Sequence, residues 1–189
     1  DIFQNIGSAA ILMDINNGDI LSMVSLPDFD LNKREKINDI KFINRATKAV
    51  YEFGSVFKTF TLAAGINYNL INPETEFKEL KKRIICAGNT ISEYDEKIPS
   101  DLTAENILIR SGNIGSARIA EKIGIEKYDK FLKTIGILKN INFDIDEIGE
   151  TQMGRWGKCK LLTVGFGHGI ATTLLQLTKG YSIISNGGF

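Results

Sequence analysis

The sequence is poor in the residue types on which several kinds of site depend. Its 189 residues include two cysteines and one histidine, and 23 lysines and arginines balance 23 aspartates and glutamates. Cys86 and Cys159 make one possible pair, but neither a disulfide framework nor a metal site. The lone histidine, His168, argues against a Ser-His-Asp triad and against a multi-histidine zinc site. Because the charges balance, no net field selects nucleic acid or anionic lipid as a partner.

Long hydrophobic runs are also missing. No apolar run approaches the roughly 18 residues that a membrane-spanning helix needs. The N-terminus lacks the basic segment, apolar stretch and small-residue cleavage site of a secretion signal. The chain begins with Asp1, and we expect it to be an excised segment, so missing targeting signals say little about location. The length and the hydrophobic share of 43% are those of one large globular domain or part of one.

Two apolar runs near the start of the chain predict a β-hairpin. The dipeptide Asn17-Gly18 lies between them and favours a hairpin turn because both residues tolerate positive φ. We place antiparallel strands near 7–14 and 19–25. A polar surface loop is expected to follow over 28–44.

The rest of the chain is predicted to be mainly helical. Apolar segments that are bounded by capping residues or glycine predict helices over 55–68, 103–109, 114–123, 127–135 and 172–185. The helix over 55–68 is expected to be largely buried. Asp101 or Thr103 is expected to cap the helix that follows it. Residues 83–86 predict a short strand, and 140–160 a loop.

The pattern Ser55-Val56-Phe57-Lys58 is the first candidate for chemistry. Residues i and i+3 share a helix face, so the Lys58 amine is expected close to the Ser55 hydroxyl. Apolar neighbours and the positive helix N-terminus both favour a neutral amine, which can accept a proton. The same N-terminus directs backbone N–H groups towards an oxyanion forming beside Ser55. Ser-x-x-Lys occurs about once by chance in such a composition, so its weight comes from the preceding glycine and the following buried helix.

The second candidate is Ser111-Gly112-Asn113, on a tight connection between two predicted helices. A serine here can relay a proton between Lys58 and a leaving amine, and the Asn113 carboxamide can hold a substrate amide. Serine, glycine and asparagine are equally typical of an ordinary turn or helix cap. Taken alone, this triplet favours the ordinary turn.

In this order the two patterns resemble the first two of three signature motifs of penicillin-binding proteins and serine β-lactamases. The wider sequence resembles class B penicillin-binding proteins along 7–30, 44–61, 111–117, 165–177 and 185–188. Within that class, Arg155-Trp156-Gly157 and Gly167-His168-Gly169 resemble the division-specific FtsI type.

Two features depart from the family pattern. Phe53 stands where the family usually has proline, which changes the turn before Ser55 but removes no chemical group. The third motif, Lys-Thr-Gly or Lys-Ser-Gly, does not occur. In the family it lies on a strand downstream of the Asn-Gly-Gly found here at 186–188. We therefore expect residues 1–189 to be the N-terminal and central part of a single transpeptidase domain that ends before this motif and is inactive alone.

The resemblance implies an α+β fold, with an antiparallel sheet flanked by helices and incomplete at the C-terminus. It implies a D,D-transpeptidase in which Ser55 is acylated, Lys58 is the base, Ser111 relays a proton and Asn113 binds substrate. The expected partners are peptidoglycan stem peptides ending in D-Ala-D-Ala, β-lactams, and divisome proteins through the parent chain. No metal or organic cofactor is expected. The expected location is the periplasmic side of a bacterial inner membrane.

Two alternatives use the same scaffold. A serine β-lactamase or β-lactam sensor has the same nucleophile and base, although no positioned group that activates water for deacylation is evident. A non-catalytic interaction module is the other alternative, and the missing third motif keeps it open.

Overall fold

The computed structural model describes residues 6–30, 32–33 and 39–188. The described residues form nine strands: β1 (Ser8–Met13), β2 (Ile20–Leu26), β3 (Val50–Tyr51), β4 (Glu76–Phe77), β5 (Arg83–Cys86), β6 (Asn89–Ser92), β7 (Leu102–Thr103), β8 (Gln152–Met153) and β9 (Ile170–Thr173). They also form six α-helices: α1 (Lys58–Asn67), α2 (Ala104–Ile109), α3 (Asn113–Ile123), α4 (Ile125–Thr134), α5 (Lys158–Val164) and α6 (Leu174–Ser185). The architecture is therefore α+β with antiparallel strand pairing, as expected.

The chain divides into two compact units. The first consists of residues 1–51, 134–152 and 171–189, and the second of residues 52–133 and 153–170. No helix in the part of the chain that the structure describes is both long enough and apolar enough to cross a bilayer.

The first unit contains the predicted hairpin. Strands β1 and β2 pair antiparallel, with Ser8 opposite Leu26 and Met13 opposite Ile20. The connection is longer than a two-residue turn, because the Asp14 N–H donates to the Asp19 carbonyl at 2.8 Å. Within it Gly18, with φ of 79°, takes the left-handed conformation that the Asn-Gly signal requires. Helix α6 packs against β1.

Helix α6 begins two residues later than predicted. Thr172 and Thr173 are paired with β3 as part of strand β9, opposite Tyr51 and Val50. Thr173 then caps the helix, and with Gln176 it forms a reciprocal capping box. Thr172 and Thr173, which the helical pattern included, therefore belong to the strand and to the helix cap.

Of the predicted surface loop over 28–44, residues 31 and 34–38 lie outside the described residues. Residues 40–42 form one 3₁₀ turn.

The second unit has a helical core in which α3 packs against both α1 and α5. Phe60 and Ala64 are fully buried in α1. The predicted helix over 55–68 is buried on one side only, because Val56 is 44% exposed and Ile66 is 41% exposed. Helix α5, in which Leu161, Leu162 and Val164 are buried, was not predicted. It begins within the predicted loop over 140–160 and ends just after it. It has only seven residues and begins with polar side chains, so its sequence shows no clear helical pattern.

A short hairpin in the second unit is formed by β5 and β6, with Ile84 opposite Ile91. Strand β5 was predicted, whereas the four-residue strand β6 was not. Cys86, at the end of β5, forms a disulfide with Cys159 in α5. The pair that the sequence left open is therefore joined, and the bond links the hairpin to the helical core.

The helices around the second candidate motif begin and end close to the predicted residues. Thr103 caps α2, with its hydroxyl accepting from the Asn106 N–H at 3.2 Å. Asp101 serves a different role, because its carboxylate accepts from the Glu79 N–H at 2.8 Å. Helix α3 ends at Gly124, whose φ of 79° suits glycine. These caps fix the ends of the helices on either side of Ser111-Gly112-Asn113.

Candidate active site

Ser55 lies in a 3₁₀ turn, Gly54–Phe57, that leads directly into α1. The expectation that Ser55 opens the α-helix is corrected only in detail, because the regular α-helix starts three residues later at Lys58. Side chains at i and i+3 of a 3₁₀ turn lie one above the other. Ser55 and Lys58 therefore project from the same side. The Ser55 side chain is exposed, and among the described residues its hydroxyl has no hydrogen-bond partner.

Lys58 is buried, with only 2% of its surface exposed. Its Nζ donates to the Ser111 carbonyl oxygen at 2.5 Å and to the Ser111 hydroxyl at 3.0 Å. It also donates to the Asn113 carboxamide oxygen at 2.8 Å. An ammonium has three N–H donors, and these three acceptors satisfy all of them.

The burial changes the acid–base chemistry of Lys58. Desolvation lowers the pKa of its amine from 10.5 to about 8, against the opposing effect of the negative charge on Glu93. A substantial share of the amine is therefore neutral near physiological pH. The neutral amine keeps two donors for the two amide-type oxygens and turns a lone pair towards a hydroxyl, which can reverse its hydrogen bond.

The Ser111-Gly112-Asn113 triplet forms the connection between α2 and α3. The Ser111 and Gly112 N–H groups each donate at 2.9 Å to carbonyls of the last turns of α2, at Leu108 and Ile107. Ser111 has φ of 51°, a left-handed conformation that is uncommon for serine. The tight turn directs both the carbonyl and the hydroxyl of Ser111 to the same amine.

Asn113 is held at three of its atoms. Its backbone N–H donates to Glu93 Oε2 at 2.6 Å, and its side-chain Nδ2 donates to the Ser92 carbonyl at 3.0 Å. Its Oδ1 is left to accept from Lys58. The carboxamide orientation is thus fixed by its neighbours, with its oxygen directed at Lys58.

Glu93 is a residue of the site that the sequence analysis missed. It directly follows β6 in the sequence, and its Oε1 accepts from the Ile114 N–H at 2.9 Å in addition to the contact with Asn113. No local pattern reveals this role, because the contact joins residues about twenty positions apart. The sequence held one indirect signal. Gly112, the N-cap residue of α3, has no side chain that could cap the helix, so the first N–H groups of α3 need a partner from elsewhere.

The glycine-rich segment 165–169 lies against the Ser55 turn. A Cβ atom at Gly167 would be only 1.9 Å from the Gly54 carbonyl oxygen, so no other residue fits there without movement. The Gly169 N–H donates to Glu52 Oε2 at 3.0 Å, and His168 Nδ1 pairs with the other oxygen of Glu52. Glu52 and His168 therefore hold this segment beside the turn.

A cleft of about 630 Å³ in the second unit is lined by residues of β6, α5 and the glycine-rich segment, including Ser92, Lys160 and Gly169. Ser55 and Lys58 do not line it. Of the four predicted site residues, the structure joins Lys58, Ser111 and Asn113 by hydrogen bonds. Ser55 lies in the 3₁₀ turn that ends directly before Lys58.

The family is established by its sequence model. The model described as "Penicillin binding protein transpeptidase domain" matches residues 8–189, and the chain belongs to this family.

Two curated relatives match most of the chain. One is the "Probable peptidoglycan D,D-transpeptidase FtsI" of Caulobacter vibrioides, 29% identical over 183 residues, which covers 96% of this chain and 31% of the relative. The other is the "Peptidoglycan D,D-transpeptidase FtsI" of Buchnera aphidicola, 30% identical over 191 residues, with 95% of this chain and 31% of the relative covered. The chain therefore spans about a third of the length of each.

A solved structure shows the same fold. The TP domain of penicillin-binding protein 3 from Burkholderia pseudomallei superposes with a TM-score of 0.78 at 23% sequence identity, over 94% of this chain and 49% of that one. The expected penicillin-binding-protein fold is confirmed by this likeness.

Proposed function

We propose that this chain provides the nucleophile and base of a peptidoglycan D,D-transpeptidase, with Ser55 as the acylated residue. The observation that supports this most strongly is the state of Lys58. Its amine is buried, its pKa is lowered to about 8, and it is bonded to Ser111 and Asn113 while lying one 3₁₀ turn from an exposed serine. A buried amine with a lowered pKa, hydrogen-bonded to neutral oxygens of Ser111 and Asn113, suits general base catalysis better than a structural role.

In the proposed acylation, the Ser55 hydroxyl attacks the carbonyl carbon of the penultimate D-Ala in a stem peptide. The neutral Lys58 amine accepts the hydroxyl proton as the bond from Oγ to carbon forms. The C–N bond to the terminal D-Ala then breaks, and the proton passes from Lys58 through the Ser111 hydroxyl to the leaving amine. The 3.0 Å contact between Lys58 Nζ and Ser111 Oγ supports this relay.

In the proposed second half, the amine of a neighbouring stem peptide attacks the acyl-enzyme. A new C–N bond forms, the ester bond to Ser55 breaks, and the proton of the attacking amine returns to Ser55 by the same groups. Asn113 is proposed to hold the substrate amide through its carboxamide, although its Nδ2 is bonded to the Ser92 carbonyl in this structure. Because Nδ2 carries two N–H donors, one can stay on the Ser92 carbonyl while the other donates to the substrate. The steps use side chains and substrate only, with no cofactor.

The wider assignments are also proposals. Residues 1–189 are proposed to form part of a single transpeptidase domain, and the names of the relatives from Caulobacter vibrioides and Buchnera aphidicola support the division-specific type. A septal role, a location on the periplasmic side of the inner membrane and divisome partners follow from that type. β-Lactams are proposed to acylate Ser55 because they imitate the acyl-D-Ala-D-Ala amide.

The test uses the full-length protein, a fluorescent penicillin and a synthetic stem peptide ending in D-Ala-D-Ala. Mass spectrometry of the labelled digest should find the adduct on Ser55, and the peptide with an acceptor amine should release D-Ala and give a cross-linked product. Ser55→Ala should abolish labelling, whereas the exposed serine variant Ser100→Ala should label normally. An adduct on another serine would overturn the assignment. Rapid hydrolysis of the penicillin without a lasting adduct would indicate a β-lactamase instead.

A further inference from the structure

Glu93, which directly follows the β5–β6 hairpin, is hydrogen-bonded to the start of α3, next to the turn formed by Ser111 and Gly112. Its Oε2 and Oε1 accept hydrogen bonds from the Asn113 and Ile114 N–H groups at 2.6 and 2.9 Å. These are the first two residues of α3, and the N-cap residue Gly112 has no side chain to offer. The first N–H groups of a helix have no partner within the helix. A charged carboxylate from another element therefore caps α3.

The cap acts next to the residues that contact Lys58. Asn113 donates through its backbone N–H to Glu93 and through its Nδ2 to the carbonyl of Ser92, the neighbour of Glu93. Two adjacent residues of one segment thus determine both the position and the rotation of the Asn113 carboxamide. The Asn113 oxygen then meets Lys58 Nζ at 2.8 Å. The hydrogen bond from the Asn113 N–H to the Glu93 carboxylate is charge-assisted, and such a bond is stronger and more directional than a neutral one.

The conformation of Ser111 adds a reason for such a cap. Ser111 has φ of 51°, a backbone state that is sparsely populated for residues other than glycine and persists only where the surroundings hold it. The turn is fixed on its α2 side by the bonds from Ser111 and Gly112 to Leu108 and Ile107. On its α3 side, the carboxylate of Glu93 is the group that fixes the next residues.

We propose that Glu93 is a positioning residue of the reaction, whose carboxylate holds the start of α3 so that the oxygens of Ser111 and Asn113 stay directed at Lys58. This inference rests on the proposed function of Ser55 and Lys58. Glu93 does not touch the reacting atoms and acts through Asn113.

The charge of Glu93 has a second consequence for Lys58. A negative charge favours the ammonium and so raises the pKa of Lys58, against the lowering by burial. Removing this charge while keeping the shape of the side chain should lower the pKa of Lys58 further below about 8. Glu93 is the charged group that acts on Lys58 in the part of the chain that the structure describes.

The experiment compares Glu93→Gln, Glu93→Asp and the control Glu105→Gln in the full-length protein. Glu105 is also a carboxylate in the first turn of a helix, α2, but its side chain is exposed. The rate of Ser55 acylation by a fluorescent penicillin is measured from pH 6 to pH 10. In parallel, the ionisation of Lys58 is followed by NMR of ¹³C-labelled lysine, with the signal assigned by its loss in Lys58→Ala.

Glu93→Gln should slow acylation roughly ten- to hundredfold, because the catalytic groups lose their alignment. Its pH midpoint should also fall below that of the wild type. Glu93→Asp keeps the charge but is one methylene shorter, so it should keep the wild-type midpoint and recover part of the rate. Glu105→Gln should match the wild type in both measurements. Thermal unfolding identifies any variant that does not fold, and Glu93→Asp decides the outcome if Glu93→Gln is such a variant.

A wild-type rate and midpoint in Glu93→Gln would overturn the inference. Equal losses of rate in both Glu93 variants with an unchanged midpoint would show a merely structural role, and would overturn it as well. If the wild type itself is not acylated at Ser55, the proposed function fails. The NMR titration then still decides whether Glu93 acts on Lys58.

Discussion

The Lys58 amine and the Ser111 hydroxyl lie 3.0 Å apart, although Lys58 begins α1 and Ser111 lies in the turn between α2 and α3. Ser111 contacts the same amine through its carbonyl oxygen, at 2.5 Å. One residue thus provides an acceptor that cannot change its role and a hydroxyl that can either accept or donate. The protonation state of Lys58 therefore determines whether the Ser111 hydroxyl accepts a hydrogen bond from the amine or donates one to it.

The pH dependence of acylation should report that state. Lys58 must be neutral to accept the Ser55 proton, and burial lowers the pKa of its amine to about 8. Below that pH the ammonium prevails, so the acylation rate should rise with pH and level off above a midpoint near 8. Stopped-flow labelling with a fluorescent penicillin measures this profile. A midpoint near 10.5, the value for an exposed lysine, would contradict the proposed environment.

Replacement of Lys58 should remove most of the rate. General base catalysis contributes on the order of 10²–10⁴-fold, so Lys58→Ala should slow acylation by that factor and flatten the pH profile. Lys58→Arg should be no better, because a guanidinium stays protonated. The exposed lysine variant Lys81→Ala is the control and should label at the wild-type rate. Undiminished labelling of Lys58→Ala would remove this lysine from the mechanism.

A substitution at Asn113 should raise the pKa of Lys58, which burial lowers. Asn113→Asp keeps an oxygen for Lys58 but introduces a negative charge, which should raise the pKa of the amine and move the midpoint of the pH profile above about 8. Asn113→Ala has no such charge, and should mainly weaken the engagement of substrate. Ser111→Ala should slow acylation less than Lys58→Ala if the hydroxyl only relays a proton. The three variants are compared by the concentration dependence of labelling, which separates binding from the acylation step.

The disulfide between Cys86 and Cys159 closes a loop with a sequence separation of 73 residues. Such a cross-link stabilises a fold by about 2–4 kcal/mol, mainly by restricting the unfolded chain. The double variant Cys86→Ser/Cys159→Ser should therefore unfold at lower denaturant concentration, and reduction of the wild type should have the same effect. Peptide mapping without reduction should recover the two cysteine peptides joined. Separate peptides with free thiols from freshly prepared protein would contradict the bond.

The local geometry of the site was largely predictable because its motifs are short and continuous in sequence. Ser55 and Lys58 are three residues apart, and Ser111 and Asn113 two, so sequence spacing alone places each pair on one turn. That Lys58 meets Ser111 follows from the family resemblance and is confirmed as a contact. The hairpin of β1 and β2 was predictable for the same reason, since its pattern is continuous in sequence, whereas the fold class followed from the family resemblance.

What the sequence did not reveal depends on contacts between distant residues or on very short elements. Glu93 reaches Asn113 and Ile114 from another segment, and nothing near Glu93 in the sequence marks it as a cap. The sequence showed that Cys86 and Cys159 could pair, but not that they form a disulfide. Helix α5 and strand β6 have too few residues to show a period, and their burial is decided by the elements they pack against.

The close approach of Gly167 to Gly54 leads to the last prediction. A Cβ atom at position 167 would lie 1.9 Å from the Gly54 carbonyl oxygen and 2.7 Å from Phe57 Cβ. Gly167→Ala can therefore be accommodated only if the turn that carries Ser55 moves. Misalignment of a nucleophile by about 1 Å can cost 10²-fold in rate, so acylation should fall by about that factor.

The matched control for this variant is Gly88→Ala. Gly88 has nearly the same φ, 80° against 83° for Gly167, but a Cβ atom there would meet nothing within 4 Å. Alanine at Gly88 should thus cost only the backbone strain, about 1–2 kcal/mol of stability, and leave the acylation rate unchanged. Labelling kinetics and thermal unfolding are measured on both variants. Equal loss of acylation in the two would show that strain, and not the contact with the Ser55 turn, is responsible, whereas a fully active Gly167→Ala would show that the turn tolerates displacement.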